Sequence, residues 1–264
     1  MTTNLIDKTD RYIFEKIKRT ENFRGKNEMA SKLSTTFVHE GNINLYLQVA
    51  GSEIHKRIKT GDGFIIAPGT TYRIDSSGGL VAYTVSSEVQ PGSPIIEIME
   101  TGNNRKEIEL GGYRIIEDPK RVDKPWGHEL WISWFRDHHV MKQIGMKPEK
   151  QSSLQFHREK LETNYLHEGS AEVIDGYKLD SQASEEEVQK SSKGVDFNKY
   201  KQSMGPGDFW TSHPGVVHRV ISGPKGYLAY EVSTSELDDV IRLQDDSGRG
   251  SGRINSEHLK EEEK

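Results

Sequence analysis

Two short stretches in the second half of the chain hold the side chains best suited to chemistry. The first reads Gln155-Phe-His157, with Glu162 and Gly169 after it. The second reads Gly207-Asp-Phe-Trp-Thr-Ser-His-Pro-Gly-Val-Val-His218-Arg219. Two imidazoles, one carboxylate and one amide carbonyl facing one interior can hold a single divalent metal ion. The bland alternative is four polar groups inside a barrel with no metal. Burying four such side chains without partners is costly, which favours a ligand set. With no cysteine in the chain, disulfides, thiolate nucleophiles and cysteine-based zinc sites are excluded.

For these residues to converge they must sit on strands. Residues two apart on a strand point to the same side, so Gln155 and His157 share a face. Glu162 comes after enough residues to turn into a neighbouring strand, and His218 enters on a third strand through Pro214-Gly215. The flanking text is strand-like throughout. In residues 36–85 the runs Asn44-Leu-Tyr-Leu-Gln-Val, Gly63-Phe-Ile-Ile and Gly79-Leu-Val-Ala-Tyr are each bounded by Gly, Pro or Ser turns. In residues 126–232 the runs are His128-Glu-Leu-Trp-Ile, His139-Val-Met-Lys-Gln-Ile, Tyr165-Leu-His and Gly226-Tyr-Leu-Ala-Tyr-Glu-Val. Residues 4–30 suit either a short helix or an arm packed on a second copy. Residues 87–125 read as the join between domains.

The 264 residues suffice for one large domain or two ordinary ones. A net charge of −5 gives no basic field for nucleic acid. No apolar run is long enough to span a bilayer, and the first residues lack the apolar core of a secretory signal, so the expected location is the cytoplasm. Apolar content of 33%, with 25 Gly and 9 Pro, suits many short strands joined by tight turns.

An internal repeat is visible. Gly61-Asp-Gly-Phe-Ile-Ile-Ala-Pro-Gly-Thr-Thr-Tyr72-Arg73-Ile74 lies without a gap over Gly207-Asp-Phe-Trp-Thr-Ser-His-Pro-Gly-Val-Val-His218-Arg219-Val220. Two copies of one β-unit are therefore predicted. Setting Gly51 on Gly169 then places His39 on His157, Phe37 on Gln155, Asn44 on Glu162 and Tyr72 on His218. On that register the first copy keeps one of four ligands and is a poor metal site. The second copy carries an insertion over residues 176–203, polar and Ser-rich, that reads as a solvated loop or a lid. Residues 251–264 read as a charged tail.

These segments resemble the cupin superfamily of small jelly-roll barrels, and the C-terminal half resembles the cupin domain of type II phosphomannose isomerases. Four stretches carry the likeness: Lys124-Pro-Trp-Gly127; the block from Ser153 to Gly169; His213-Pro-Gly-Val-Val-His-Arg; and Glu236-Leu-Asp-Asp-Val-Ile-Arg-Leu-Gln-Asp-Asp-Ser-Gly-Arg249. They span about residues 121–249. Lys160, Asn164 and Ser247 stand where that family has Arg, Trp and Tyr, which bears on the substrate more than on the metal.

The resemblance implies an all-β bicupin, two tandem double-stranded β-helix barrels. Residues 1–110 form a degenerate first domain and residues 111–250 a metal-binding second one. It implies that Gln155, His157, Glu162 and His218 hold one divalent ion, zinc by first choice, with iron, manganese, nickel or cobalt also compatible. Arg249, Lys142 and Lys160 become the catalytic candidates, and Arg242 and His213 the substrate-binding ones, with solvent exposure the alternative for His213. Trp126 reads as packing at a barrel end, with sugar stacking as the rival, and His139 and His167 as hydrogen-bonded structural residues. Asp238 and Asp239 are expected to order the closing segment. The implied activity is aldose–ketose isomerisation of the mannose-6-phosphate isomerase type on a small sugar or sugar phosphate. The alternatives are another cupin metal enzyme (epimerase, lyase or dioxygenase) and a non-catalytic sugar-binding cupin. A homodimer without nucleic-acid or membrane partners completes the expectation.

Overall fold

The structure is a computed structural model that describes residues 2–89, 95–99, 105–246, 248, 252 and 253. The chain divides into two compact units. One comprises Met1–Lys120 with Trp131–Met141, the other Arg121–Leu130 with Lys142–Lys264.

In the first unit, one sheet has the strand order Thr2–Lys8, Ile13–Arg19, Leu80–Ser87, Leu33–Glu40, Gly63–Ile66 and Tyr113–Ile116. The second sheet orders Phe23–Arg24, Thr71–Ser76, Asn42–Val49 and Ser52–Lys59, with Glu28–Met29 also on Thr71–Ser76. Alternation builds the core between them. Along Asn42–Val49, Ile43, Leu45 and Leu47 are buried and meet Val38, Ile58, Phe64, Ile66 and Ala82. The N-terminal segment is neither a helix nor a free arm. Thr2–Lys8 and Ile13–Arg19 form a hairpin, and Ile13–Arg19 pairs with Leu80–Ser87. Phe14 and Ile17 are buried on opposite faces of the strand, so the surrounding charges leave no simple alternation to read in the sequence.

The second unit is organised by two long strands, Glu162–Lys178 and Val216–Ser233, paired antiparallel along most of their length. Irregularities at Leu166/Glu168 and Gly169/Ala171 bend the ladder in mid-course. Gly169 is required there. Its φ is +90°, and a Cβ would lie 2.1 Å from the Gly226 carbonyl oxygen. Leu154–His157 pairs with both Val216–Ser233 and Val240–Gln244.

The two units repeat one topology, and the structure corrects the register between the copies. Gly41, with φ +90° and a Cβ position 2.1 Å from the Gly79 oxygen, reproduces Gly169. The edge contact of His39 on Tyr83, 6.3 Å between ring centroids, reproduces that of His167 on Tyr230 at 6.3 Å. His39 therefore matches His167, not His157. The register slips because the hairpin after each glycine differs in length between the copies. On the corrected register Ser34 takes the place of Glu162, while Tyr72 keeps that of His218. The degenerate copy retains none of the ligands.

The insertion is also not a solvated loop. Helix Glu185–Ser192 starts at a capping box in which Ser184 and Glu187 bond reciprocally. Val188 and Leu179 are buried against Leu154, Phe156, Ile174, Val217 and Ile241, and Tyr177 meets Phe197 and Tyr200 edge-on. The segment is a strap docked on the outside of the barrel.

Candidate metal centre

Inside the second unit the structure brings together His157, Glu162 and His218, whose ligand atoms all lie within 4.8 Å of one another. The short strand Leu154–His157 aims Gln155 and His157 the same way, and Gln155 is in register with His218 on one side and Arg242 on the other. The Pro214-Gly215 turn is tied to this strand by the Gly215 N–H, which donates to the His157 carbonyl at 2.7 Å. Glu162 opens its strand beside Leu161, whose N–H donates to Thr234 Oγ1 at 3.1 Å.

Both imidazoles are oriented from behind. His157 Nδ1 donates to Asp239 Oδ1 at 2.7 Å, and His218 Nδ1 donates to the Val216 carbonyl at 3.1 Å. Since these partners can only accept, Nδ1 holds the proton of each neutral ring, and Nε2 is the nitrogen that faces the interior. The two Nε2 atoms are buried and have no hydrogen-bond partner. They lie 3.7 Å and 3.3 Å from the two oxygens of Glu162. Two orphaned imidazole nitrogens converging on one carboxylate are what a divalent ion would satisfy. The fit to a metal is therefore good. Gln155 lines the same cavity, its Oε1 accepting from Ser153 Oγ at 2.6 Å.

Asp239 does more than order the closing segment. Besides gripping His157, its Oδ2 accepts from the backbone N–H groups of Glu159 and Lys160 at 2.7 and 2.8 Å, which shapes the turn that leads to Glu162. Burial opposes its charge, but the His157 contact and the two backbone donors outweigh burial and hold its carboxyl below the usual range. Burial similarly pushes His218 down, which favours the neutral, ligating form.

A chain of alternating charges runs away from the cluster. Lys160 Nζ lies 2.5 Å from Glu162 Oε2 and 2.9 Å from Glu231 Oε1. Lys142 Nζ lies 3.8 Å from the same Glu231 oxygen and 3.6 Å from Glu129, which lies 3.6 Å from Lys124. Burial opposes the charge on Lys160 and on Glu162. Their mutual attraction outweighs it, so the ammonium is held above its ordinary range and the carboxyl well below.

The cavity around these groups measures about 100 Å³. On this scale one water needs roughly 10–15 Å³, so the space suits a small molecule and not a polymer. Its walls separate by character. Lys124, Lys142, Lys160, Arg219 and Arg242 supply charge, while Trp126, Trp210, Ile144 and Met146 form an apolar side. Of the residues expected from sequence, Gln155, Lys142, Lys160, Arg242 and Trp126 line the cavity with the clustered His157, Glu162 and His218. His213 does not: it sits exposed in the turn before Pro214, its carbonyl accepting from the Val216 N–H. Arg249 lies outside the described residues. No residue of the strap lines the cavity, so the lid expectation fails. Glu129, Glu231, Arg219 and Tyr227 were not anticipated. Nothing in the sequence around Glu231 marks it: its strand starts in the second motif, and only pairing brings the far end of that strand beside Glu162.

The fold and the site together define a tandem jelly-roll protein with a candidate metal centre in the second barrel. No family model matches the chain, and no curated protein matches it. Solved structures do. The chain is similar to the oxalate decarboxylase of Lactobacillus farciminis in a formate complex, with TM-score 0.61 and 14% identity over 88% of this chain and 79% of that one. It is also similar to the oxalate decarboxylase of Bacillus subtilis, a protein described with Mn(II) centres. That match has TM-score 0.61 and 12% identity over 88% of this chain and 71% of the other. Likeness at this identity establishes the bicupin fold. Among the described residues, no helix is long and apolar enough to cross a membrane.

Proposed function

We propose that this protein is a metal-dependent enzyme that moves a proton on a small, oxygen-rich, anionic substrate in its second barrel. The observation that carries the reading is the pair of unpartnered Nε2 atoms of His157 and His218 converging on Glu162. His157, Glu162 and His218, with Gln155 beside them, would hold the ion. Mixed nitrogen and oxygen donors suit manganese or iron as well as zinc. When bound, the ion supplies Lewis acidity toward a carbonyl or hydroxyl oxygen.

The protein's own groups do the rest. Asp239 and the Val216 carbonyl keep both imidazoles in the ligating tautomer. Arg219 and Arg242 offer guanidinium groups to a carboxylate or phosphate. Glu231, held by Lys160, is the carboxylate beside the cluster that would take up and return a proton. Trp126 and Trp210 exclude water from one side.

Within this class, aldose–ketose isomerisation of a sugar phosphate is supported by the four sequence blocks and by the cationic lining. Cleavage of a small carboxylate is supported by the shared fold with oxalate decarboxylases. The deciding experiment is turnover of hexose phosphates, pentose phosphates and small dicarboxylates by protein reconstituted with manganese, iron or zinc, with and without chelator. The reading expects one substrate class to turn over and the chelator to abolish it. Tight binding of sugars with no turnover and no exchange of substrate hydrogen with deuterated solvent would replace it with a binding protein.

A further inference from the structure

Buried polar atoms in a folded protein nearly always find partners. Tyr227 is an exception inside the cavity. Its side chain is 4% exposed, and its hydroxyl has no hydrogen-bond partner. It lines the same cavity as His157, Glu162 and His218, its ring 6.4 Å from that of Trp210 in the apolar wall. Alternation along Val216–Ser233 puts it on the same face as Glu231. Burial, then Glu231 and Glu162, raise its ionisation well above the phenol range, so the oxygen always carries a proton to donate. The reaction chemistry outlined above gives it no task, and packing gives the hydroxyl none either, because phenylalanine would fill the same wall.

We propose that the Tyr227 hydroxyl is a ligand-recognition group, donating a hydrogen bond to an oxygen of a ligand whose other oxygens lie at the His157–Glu162–His218 cluster. The inference rests on reading that cluster as the metal site. It narrows the ligand to a small molecule with an oxygen on a carbon beyond those that carry the pair of oxygens a metal can chelate. One of its further oxygens must reach the Trp210 side. Polyhydroxy acids and polyhydroxy carbonyl compounds meet that description; a two-carbon hydroxy acid does not.

The test compares wild type with Tyr227→Phe. Metal uptake is measured first with Mn(II). Glycolate, glycerate and erythronate are then titrated calorimetrically into the Mn(II)-loaded proteins. Both proteins should bind one Mn(II). Tyr227→Phe should weaken at least one of the longer acids by about 3- to 10-fold, the worth of one hydrogen bond, and leave glycolate unchanged. In metal-free protein the variant's Tm should equal or exceed that of wild type, because an unpaired hydroxyl stabilises nothing. Equal affinities of both proteins for every acid would overturn the inference, as would no acid binding to loaded wild type. A clearly lowered Tm would overturn it too, by showing that the hydroxyl is spent inside the fold. Failure of wild type to take up Mn(II), Fe(II) or Zn(II) would overturn the metal reading instead, and the Tm comparison would still decide whether the hydroxyl is spare.

Discussion

Replacing Lys160 by methionine keeps the length of the side chain and deletes its charge, which isolates the role of the buried ammonium. In the metal-free protein Lys160 is the closest cation to Glu162 at 2.5 Å and to Glu231 at 2.9 Å, with only 5% of its side chain exposed. Without it, Glu231 keeps Lys142 at 3.8 Å, but Glu162 keeps the Asn164 amide at 3.4 Å and the two imidazoles at 3.3 and 3.7 Å, with no ammonium or guanidinium in place of Lys160. Removing one partner of a buried pair costs about 3–5 kcal/mol, because the remaining charge stays desolvated. Two compensations should follow. Adding Glu162→Gln to Lys160→Met removes the stranded charge and should recover most of the loss. A divalent ion replaces the missing cation, and at a hundredfold excess over its Kd contributes about 2.7 kcal/mol. Since Lys160 and the ion share one carboxylate, Lys160→Met should bind Mn(II) at least as tightly as wild type. Urea unfolding followed by tryptophan fluorescence, with and without Mn(II), reads all three effects. A metal-free Lys160→Met protein as stable as wild type would refute the electrostatic account of the site. So would a double variant less stable than the single one.

Three further outcomes follow from other parts of the structure. His218→Ala should abolish tight metal binding while His39→Ala leaves it intact, as read by elemental analysis of purified protein; a second equivalent of metal that depends on His39 would contradict the corrected register. His139 is fully buried between Thr35 Oγ1 at 3.0 Å and Ser87 Oγ at 2.8 Å, and burial pushes it down from 6.5 to about 3. Its folded pKa is depressed below the unfolded one, so its contribution is intact above pH 6.5 and is lost as pH falls from there toward 3. At pH 4 the loss should reach about 3 kcal/mol, and His139→Gln should show a flatter fall of Tm across that window while being less stable at pH 8. Leu179→Ala in the strap should cost about 2–3 kcal/mol of stability, because the residue is buried in the core beneath the helix, and should leave metal affinity unchanged.

The convergence of His157, Glu162 and His218 was legible because strand alternation and the Pro-Gly turn are local signals: Gln155 and His157 share a face by period alone, and Pro214-Gly215 marks where His218 enters. The tandem architecture was legible in the repeated Gly-Asp and Pro-Gly register. What failed depended on lengths or on distant pairing. The first half of each repeat lies across a hairpin of different length, so a second glycine anchor had to be chosen there, and Gly51, ten residues beyond Gly41, was set on Gly169. The strap looked solvated because its few apolar residues, Leu179, Val188 and Phe197, are scattered among Ser, Glu and Lys. The partners in the charge chain include Glu231 on Val216–Ser233, far in sequence from Glu129 and Lys142 on the consecutive strands Gly127–Trp134 and Val140–Met146. Nothing local to Glu129 or Glu231 distinguishes either from a surface carboxylate.

The corrected register also says why the charges are there. In the second barrel Asn164 pairs with Glu231, and Glu162 with Ser233. In the first barrel the matching pairs are Thr36 with Thr84, and Ser34 with Ser86. Thr36 and Thr84 bond each other through their hydroxyls at 2.9 Å. The same topology thus closes around neutral hydroxyls in one copy and around buried carboxylates in the other. Buried ion pairs are commonly no better for stability than apolar residues of similar volume, so the fold has no need of Glu162, Glu231 or Lys160. Their presence in one barrel only, next to two imidazoles held with their lone pairs inward, assigns the cost to a site. It follows that the triple variant Glu231→Thr, Glu162→Ser, Lys160→Met should leave a folded second barrel that takes up no metal. Circular dichroism and a cooperative urea transition would check the fold, and elemental analysis the metal. A variant that unfolds outright would mean the charges are structural after all.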